Sequence, residues 1–407
     1  MSPVLSLFPH FAFGDPTILP KFRLQNLIHM KRRFLFTVFL NGLFAVAFAQ
    51  HNLVSPFIHP DNSVSFSLYA PGADTVFISG DWMQNGPQKM TKDESGVWKY
   101  TSPPLPSELH SYFYVVDGLR TPDPNNIYRI RDVANLTDVF IIGGEQGDLY
   151  KVNNIPHGTV TYQWYDSPQL NMKRRITIYT PPGYENSDQK YPVLYLLHGM
   201  GGDETAWTTL GRTAQIMDNL IAQGKAVPMI VAMPNGNVAQ EAAPGESSRG
   251  FYKPGFLEPN TMDGKMEETF PDVIEFVEKT YRVKKSKENR AIAGLSMGGF
   301  HSMHISRYYP DLFDYIGLFS PAVNPRSEGS PVYKDIEQTL KKQLDEGFKL
   351  YWIAIGKTDF LYDQVRAYRA RLDALSFPYQ YRESEGGHTW ANWRIYLSEF
   401  VPMLFKD

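Results

Sequence analysis

The stretch that decides the fold is IAGLSMGGFH, residues 292–301, in which Ser296 stands between Gly294 and Gly298. An apolar, strand-like run precedes the serine, and a helix-like stretch follows it. Glycine loses more backbone freedom on folding than any other residue, so a cluster of glycines here needs a reason. The order strand, Gly-x-Ser-x-Gly, helix predicts a nucleophile elbow, a sharp turn that lifts the serine hydroxyl above a sheet. The alternative is a glycine-rich turn with an incidental serine.

The region around this motif alternates between strand-like runs and helical patterns. The strand-like runs lie at 174–181, 191–199, 226–234, 289–296, 315–323, 348–356 and 379–387. The helical patterns lie at 212–224, 269–283 and 365–375. Such alternation predicts a mainly parallel sheet with right-handed crossovers, and ligands bind such sheets beyond the carboxyl ends of the strands. We therefore predict an α/β fold, with an α/β-hydrolase catalytic domain over residues 174–407.

The preceding region, residues 52–145, reads as all-β. Short alternating or β-branched runs, separated by turn residues, lie at 63–71, 75–80, 96–103, 110–118 and 138–144. This spacing predicts a small immunoglobulin-like β-sandwich. The region contains no paired acids and no nucleophile motif, which favours a non-catalytic module. Residues 146–173 are predicted to be a linker.

The N-terminus has the pattern of a secretory signal peptide. Residues 30–50, MKRRFLFTVFLNGLFAVAFAQ, begin with basic residues, continue with an apolar stretch and end on the small-x-small signature Ala47-Phe48-Ala49. We expect cleavage after Ala49 and export to the periplasm or the medium of a bacterium, and we exclude residues 1–49 from the fold. Met30 is a second candidate start. The stretch is short for a spanning helix, so no membrane span is expected in the mature protein.

Composition narrows the chemistry. The chain has 407 residues, a formal net charge of −3 and no long basic stretch beyond the N-terminus, so nucleic acid is not expected as a partner. It contains no cysteine. That excludes disulfides, thiolate metal sites, a cysteine nucleophile and a lipid anchor on an N-terminal cysteine.

A serine nucleophile needs a base and an orienting acid, which follow it along the chain in this fold. Of the ten histidines, His388 alone lies after the last strand-like run, in EGGHTWANW, where two glycines free the loop. A structural loop histidine is the alternative. Asp359 directly follows the run at 348–356 and is the predicted acid, with Asp363 as the second candidate. Either aspartate is also suited to capping the next helix.

An acyl hydrolase also needs two preorganised donors for the oxyanion. The N–H of Met297, directly after the nucleophile, is one predicted donor. The other is expected from HGMGGDETAW, residues 198–207, with Met200 N–H first and Gly199 next. With these groups, Ser296 would attack an ester with no metal or organic cofactor.

Five motifs together resemble a known family: RRITIYTPPGY (174–184), YPVLYLLHGMGGDETAW (191–207), GLSMGG (294–299), GKTD (356–359) and GGHTW (386–390). They are similar to the esterase D-like group over about residues 155–405, and most of all to the feruloyl and acetyl-xylan esterases of carbohydrate esterase family 1. The β region resembles carbohydrate-binding module family 48 and related early-set domains. The resemblance implies a bacterial enzyme that removes feruloyl or acetyl groups from arabinoxylan, with a triad of Ser296, Asp359 and His388.

Substrate contacts are expected from the long loop 234–260 and from nearby aromatic residues. The candidates are Trp207, Phe360, Trp390, Phe251, Tyr252 and Phe256, the last three of which are equally suited to packing within the loop. The expected partner is feruloylated or acetylated xylan or a xylo-oligosaccharide. Four alternatives stay open: an acetyl-xylan esterase, an enterochelin-type siderophore esterase, a catalytically silent glycan-binding protein and an acyltransferase.

Overall fold

The computed structural model describes residues 53–326 and 329–406. The predicted signal peptide and both candidate starts lie outside the described residues. Among the residues it does describe, no helix is long and apolar enough to cross a membrane.

The first part of the chain forms two antiparallel sheets, in agreement with the all-β prediction. Its strands are β1 (Phe57–Ile58), β2 (Val64–Tyr69), β3 (Val76–Gly80), β4 (Gln88–Lys89), β5 (Thr91–Lys92), β6 (Val97–Thr101), β7 (Leu109–Val116), β8 (Leu119–Thr121), β9 (Arg129–Asp132) and β10 (Asn135–Ile141). One sheet has the order β1-β2-β6-β5, and the other has the order β4-β3-β7-β10-β9 with β8 beside β7. Alternate residues of β2, such as Phe66, are buried in a core shared by both sheets. We call this part, residues 57–141, the β module.

The rest of the chain is built on one eight-stranded sheet of the order β11-β12-β14-β13-β15-β16-β17-β18. Its strands are β11 (Thr159–Ser167), β12 (Met172–Thr180), β13 (Val193–Leu197), β14 (Ile230–Pro234), β15 (Arg290–Leu295), β16 (Tyr315–Phe319), β17 (Leu350–Gly356) and β18 (Gln380–Ser384). The pairings from β14 through β18 are parallel, whereas β11 and β12 run antiparallel. The central strands are buried on both faces, which explains their continuous apolar sequence. The α/β-hydrolase prediction is confirmed.

Helices cover both faces of this sheet. In the described part of the chain they are α1 (Gly147–Tyr150), α2 (Ala206–Thr209), α3 (Thr213–Ala222), α4 (Lys265–Glu268), α5 (Phe270–Thr280), α6 (Met297–Tyr308), α7 (Ile336–Glu346), α8 (Tyr362–Ala374) and α9 (Trp390–Phe400). Side chains of α5, α6 and α8 belong to the core on one face, and side chains of α3 and α9 to the core on the other.

The prediction of a linker over residues 146–173 is wrong for much of that segment. Residues 159–167 form β11, which pairs with β12 over nine residue pairs. This strand lies at the edge of the sheet, and its exposed residues alternate with partly buried ones, so it lacks the apolar run of the central strands. Before it, Tyr150 at the end of α1 is fully buried in the core formed with α3 and α9.

The β module is joined to the α/β part by a buried ion pair. Arg394 Nε on α9 donates to Glu108 Oε1 at 3.0 Å, and its two terminal nitrogens donate to Leu109 O at 3.0 Å and Leu210 O at 2.7 Å. Leu109 also belongs to the core of the α/β part. By contacts, Ser55–Asp407 form one compact unit, so the predicted boundary near residue 146 does not separate two units.

Candidate active site

Ser296 occupies the sharp turn between β15 and α6. Its backbone has φ 54° and ψ −114°, outside the ordinary helical and strand regions, as a nucleophile elbow requires. The turn brings two backbones so close that side chains would collide. A Cβ on Gly294 would lie 2.4 Å from Gly298 C, and a Cβ on Gly298 would lie 2.3 Å from Leu197 O. The glycines of the motif are therefore explained by the elbow.

The predicted base and acid are hydrogen-bonded to each other. His388 Nδ1 donates to Asp359 Oδ2 at 2.9 Å and to Oδ1 at 3.0 Å. The Asp359 side chain is fully buried, and its Oδ1 also accepts the N–H of Leu361 at 2.9 Å. The second candidate acid, Asp363, is 81% exposed at its side chain and pairs with Arg366 on α8 instead. The geometry therefore favours Asp359 as the partner of His388 and leaves the His388 Nε2 atom for proton transfer.

Two further contacts fix the loop that carries His388. Asn392 Nδ2 donates to Glu385 O at 3.1 Å and to Gly387 O at 2.9 Å. Thr358 N–H donates to Gly386 O at 3.0 Å, which joins this loop to the one that carries the acid. Asn392 was missed by the sequence reading. The sequence feature that could have identified Asn392 is its position four residues after His388, in the first turn of a helix.

The two predicted oxyanion donors belong to segments that adjoin Ser296. Met297 is the first residue of α6, where backbone N–H groups have no partner within the helix. Met200 lines the same cavity as Ser296. The loop that carries it passes close to the elbow, because a Cβ on Gly199 would lie 2.5 Å from Leu295 Cδ1 and 3.2 Å from Ser296 Cβ. We call residues 199–203 the oxyanion loop.

A buried histidine holds the start of the oxyanion loop. Gly236 N–H donates to His198 Nε2 at 2.8 Å, so the ring proton lies on Nδ1, which donates to Gly199 O at 2.8 Å. Burial lowers the pKa of His198 and keeps the ring neutral, as this pattern of one donor and one acceptor requires. His198 was set aside at the sequence level because it precedes the serine. The sequence feature that could have identified His198 is its position directly before Gly199, the first glycine of the loop.

The end of the oxyanion loop is anchored to the long loop after β14. Glu204 is buried, and its carboxylate accepts from Arg175 Nε at 2.7 Å, Asn235 Nδ2 at 3.0 Å and the N–H of Ala243 at 2.9 Å. Burial, together with the nearby charge of Asp203, raises the pKa of Glu204, and the bonds from Ala243 and Arg175 oppose this in part. The loop therefore has fixed attachments at both ends.

Ser296 and His388 open into a cavity of about 780 Å³ that is lined by both parts of the chain. Aromatic residues line one region of it: Phe256, Phe360, Trp390 and Trp393. Polar residues of the β module line another: Asp81, Ser111, Asp132 and Thr137. The Phe360 ring lies 4.4 Å from the His388 ring, centroid to centroid, which places an exposed aromatic face next to the reacting groups.

One predicted substrate contact is wrong, and two others stay predictions. Trp207 is only 1% exposed and lies in the core, where its Nε1 donates to Leu197 O at 2.9 Å. Phe251 and Tyr252 are not among the described residues that line the cavity, and Phe251 is 98% exposed. Phe360 and Trp390, which were also predicted, do line it, and so does Phe256.

Among the described residues, no group of three or more histidine, aspartate or glutamate side chains is placed to hold a metal ion. The residues assembled around Ser296 are those of nucleophilic acyl chemistry.

Comparisons with known proteins find similarity to esterases. An endo-1,4-β-xylanase/feruloyl esterase of Xylanibacter ruminicola is 28% identical over 357 residues, which cover 86% of this chain and 46% of that protein. The chain thus spans about half the length of this relative. A CE1 ferulic acid esterase of Anaeromyces mucronatus is similar with a TM-score of 0.51 and 25% identity, over 63% of this chain and 93% of that one.

A third similarity concerns the fold alone. The enterobactin esterase of Shigella flexneri has a TM-score of 0.61 and 15% identity, over 84% of this chain and 93% of that one. The likeness of the β module to family 48 carbohydrate-binding modules stays a prediction. The resemblance to the CE1 ferulic acid esterases is confirmed. The Esterase family model matches residues 167–404, more than half of the sequence, and the chain therefore belongs to the Esterase family.

Proposed function

We propose that this protein is a serine carboxylic-ester hydrolase that releases ferulic acid from feruloylated arabinoxylan. The observation that carries the proposal is the hydrogen bond from His388 to the buried Asp359, together with the cavity that His388 lines with the strained Ser296 elbow. The names of the relatives, feruloyl esterases in both cases, support the acyl group. The signal-peptide pattern at residues 30–50 supports export to the periplasm or the medium, where polymeric xylan is accessible.

The proposed reaction has two halves. Ser296 Oγ attacks the ester carbonyl while His388 Nε2 takes its proton, and the negative oxygen is stabilised by the N–H groups of Met297 and Met200. His388 then protonates the departing sugar oxygen, which leaves a feruloyl-serine ester. Water attacks that ester with His388 again as base, and ferulate departs as Ser296 regains its proton. Asp359 holds the imidazole in the tautomer that both halves need.

The shape of the cavity supports an aromatic acyl group. Its volume of about 780 Å³ lies within the range of small-molecule sites, and its aromatic region adjoins His388 through Phe360. An acetyl group needs only a small part of this space. Phe360, 72% exposed, offers a ring face to a second ring.

The polar region of the cavity suits the sugar. A second cavity of about 300 Å³ is lined only by the β module and shares Asp81, Ser111, Asp132 and Thr137 with the first. The two cavities thus form a continuous surface that runs from the serine onto the β module. Carboxylates and hydroxyls match the hydroxyl groups of a pentose chain, so we assign the xylan side of the ester to this surface.

The decisive experiment compares wild type with Ser296→Ala on methyl ferulate, on feruloylated arabinoxylan and on acetylated xylan. We expect ferulate release from both feruloyl esters, and a loss on the order of 10⁶ in kcat without the nucleophile. Ser306→Ala is the matched control, because it removes a buried hydroxyl from the same helix that only bonds Met303 O. It should keep activity within about threefold.

Each other outcome identifies an alternative. Acetate release without ferulate release would make the protein an acetyl-xylan esterase. Activity on a catecholate siderophore ester alone would favour the function of the Shigella neighbour, whose 15% identity supports the fold only. Equal, measurable rates for wild type and Ser296→Ala would contradict the triad, whereas no hydrolysis of any of these esters by wild type would favour a silent glycan-binding protein. Transfer of the feruloyl group to an added alcohol, in preference to water, would indicate an acyltransferase.

A further inference from the structure

The turn between β9 and β10 places three consecutive residues of the β module against the active site. Asp132 and Asn135 pair across this hairpin, so Val133 and its neighbour form a two-residue turn. Arg131, Asp132 and Val133 all line the cavity that contains Ser296. We call residues 131–133 the hairpin tip.

Val133 has a backbone conformation that its side chain disfavours. Its φ is +51°, in the left-handed region, where a β-branched residue is a genuine outlier and turns of this kind favour glycine or asparagine. Such strain persists where the surroundings hold it, and it is concentrated at functional sites. The reason here is a contact. A Cβ on Gly201 would lie 2.7 Å from Val133 Cγ2 and 2.9 Å from Cγ1, so the valine side chain lies directly on the glycine of the oxyanion loop.

Arg131 holds the same loop by charge. Its Nη2 forms an ion pair with Asp203 Oδ2, and its Nη1 donates to Val133 O at 2.9 Å, which braces the turn. Asp203 is buried at the end of the oxyanion loop, and its Oδ1 accepts the N–H and the hydroxyl of Thr205 at 2.9 and 2.6 Å. Although burial opposes it, the charge of Arg131 together with these bonds keeps the pKa of Asp203 below its usual value. The aspartate therefore remains a carboxylate for Arg131 to bind.

The middle residue of the tip lies near the segment that carries the base. Asp132 lines the same cavity as Trp390, the first residue of α9. Trp390 contacts Trp393 edge to face at 5.2 Å, and Trp393 contacts the His388 ring in the same way at 4.9 Å. One hairpin thus contacts the oxyanion loop and lines the same cavity as the aromatic residues beside His388.

We propose that the hairpin tip of the β module is a positioning element of the active site, which sets the oxyanion loop through Val133 and Arg131. The inference rests on the proposed serine-ester chemistry, because it concerns the donors that stabilise its oxyanion. It gives the β module a role in the chemical step that is independent of any binding of glycan. Val133 and Arg131 do not touch the reacting atoms in this role. They act through Gly201 and Asp203.

The test is Val133→Gly in the full chain, with Leu136→Ala as the matched control. Glycine relaxes the turn and removes the contact with Gly201, whereas Leu136 is an exposed apolar residue of the same hairpin outside the cavity. We measure the kcat and KM for methyl ferulate, and the rate constant and final extent of Ser296 labelling by a fluorophosphonate, whose adduct is tetrahedral. We expect Val133→Gly to lower kcat and the labelling rate constant by about 10- to 100-fold, because loss of one oxyanion donor costs about 10²- to 10³-fold. Its KM should change less than about threefold, and labelling should still reach completion.

The readouts separate positioning from mere loss of fold. A partly unfolded variant would label to a reduced extent at the wild-type rate constant, and that result would overturn the proposal. So would a Val133→Gly rate constant within twofold of wild type, or an equal loss in Leu136→Ala. A second variant adds an internal check: Gly201→Ala should lose less activity in the Val133→Gly background than alone, because its clash with Val133 is gone. An unlabelled wild type would overturn both this proposal and the proposed function, whereas a labelled wild type matched by Val133→Gly would overturn this one alone.

Discussion

Replacement of Asp359 by asparagine gives the sharpest test of the candidate triad. The carboxylate receives the Nδ1 proton of His388 on both oxygens, at 2.9 and 3.0 Å, in a side chain with no exposure to solvent. Asparagine keeps the shape but presents an N–H₂ group on one side and removes the negative charge. The imidazole then favours the tautomer with its proton on Nε2, where it cannot accept the proton of Ser296 Oγ.

The expected magnitude follows from this geometry. In the Ser-His-Asp arrangement, the same change lowers kcat by about 10⁴, which corresponds to about 5.5 kcal/mol at 1.36 kcal/mol for each factor of ten. The interaction here has the features that make that loss large, namely a buried carboxylate and short contacts. KM should change little, because Asp359 is not among the described residues that line the cavity.

The assay is methyl ferulate hydrolysis at saturating substrate, with Asp363→Asn as the matched control. Asp363 lies four residues along the chain, is 81% exposed and pairs only with Arg366 among its described partners, so its replacement should leave kcat within about twofold. Thermal unfolding of both variants would check that the fold is kept. Retention of activity by Asp359→Asn, or its loss in Asp363→Asn, would refute the assignment of the acid.

Two further predictions concern specificity and stability. Phe360→Ala should raise the KM for methyl ferulate by about two- to tenfold, because one aromatic pair contributes that much to binding. Its effect on the hydrolysis of an acetyl ester should be smaller. Phe251→Ala, the control, removes an exposed ring outside the cavity and should leave the hydrolysis of both esters unchanged. Arg394→Met should lower the free energy of unfolding by about 3–5 kcal/mol at pH 7, because it leaves Glu108 buried without its ion pair. Burial raises the pKa of Glu108, so the contribution of this group to stability is present at low pH and is lost as the pH rises through that pKa. In urea unfolding, the loss of stability caused by Arg394→Met should therefore be smaller at pH 5 than at pH 7.

The positions of the candidate nucleophile, base and acid could be predicted because each residue lies beside a strand end with a local sequence pattern. The glycines around Ser296 are required by backbone contacts of the elbow itself, and they leave a pattern in ten residues of sequence. His388 and Asp359 follow the last strands of a parallel sheet, whose carboxyl ends meet at one edge. The order of these elements along the chain was enough to bring them together.

The cavity walls could not be predicted in the same way, because they depend on contacts between distant residues. Trp207 and Phe360 are both aromatic residues near loop ends in the sequence, yet one donates its N–H inside the core and the other is exposed beside His388. Arg131 and Asp203 lie 72 residues apart and carry no shared pattern. Strand β11 was not predicted, for another reason. An edge strand has one solvated side and so lacks the apolar run on which the other strands were recognised.

The β module shares a core and a buried ion pair with the α/β part of the chain. The family match begins at residue 167, but Leu109 and Val139 of the β module pack in the same core as Trp393 and Tyr396 of α9. Without the module, that apolar surface and the buried guanidinium of Arg394 would face water, and the cavity beside Ser296 would lose its polar wall. The module is therefore part of the same folding unit as the serine. Because the module lines the cavity that contains Ser296 and contacts the oxyanion loop, we expect changes confined to residues 57–141 to alter both specificity and rate while every residue of the candidate triad stays the same.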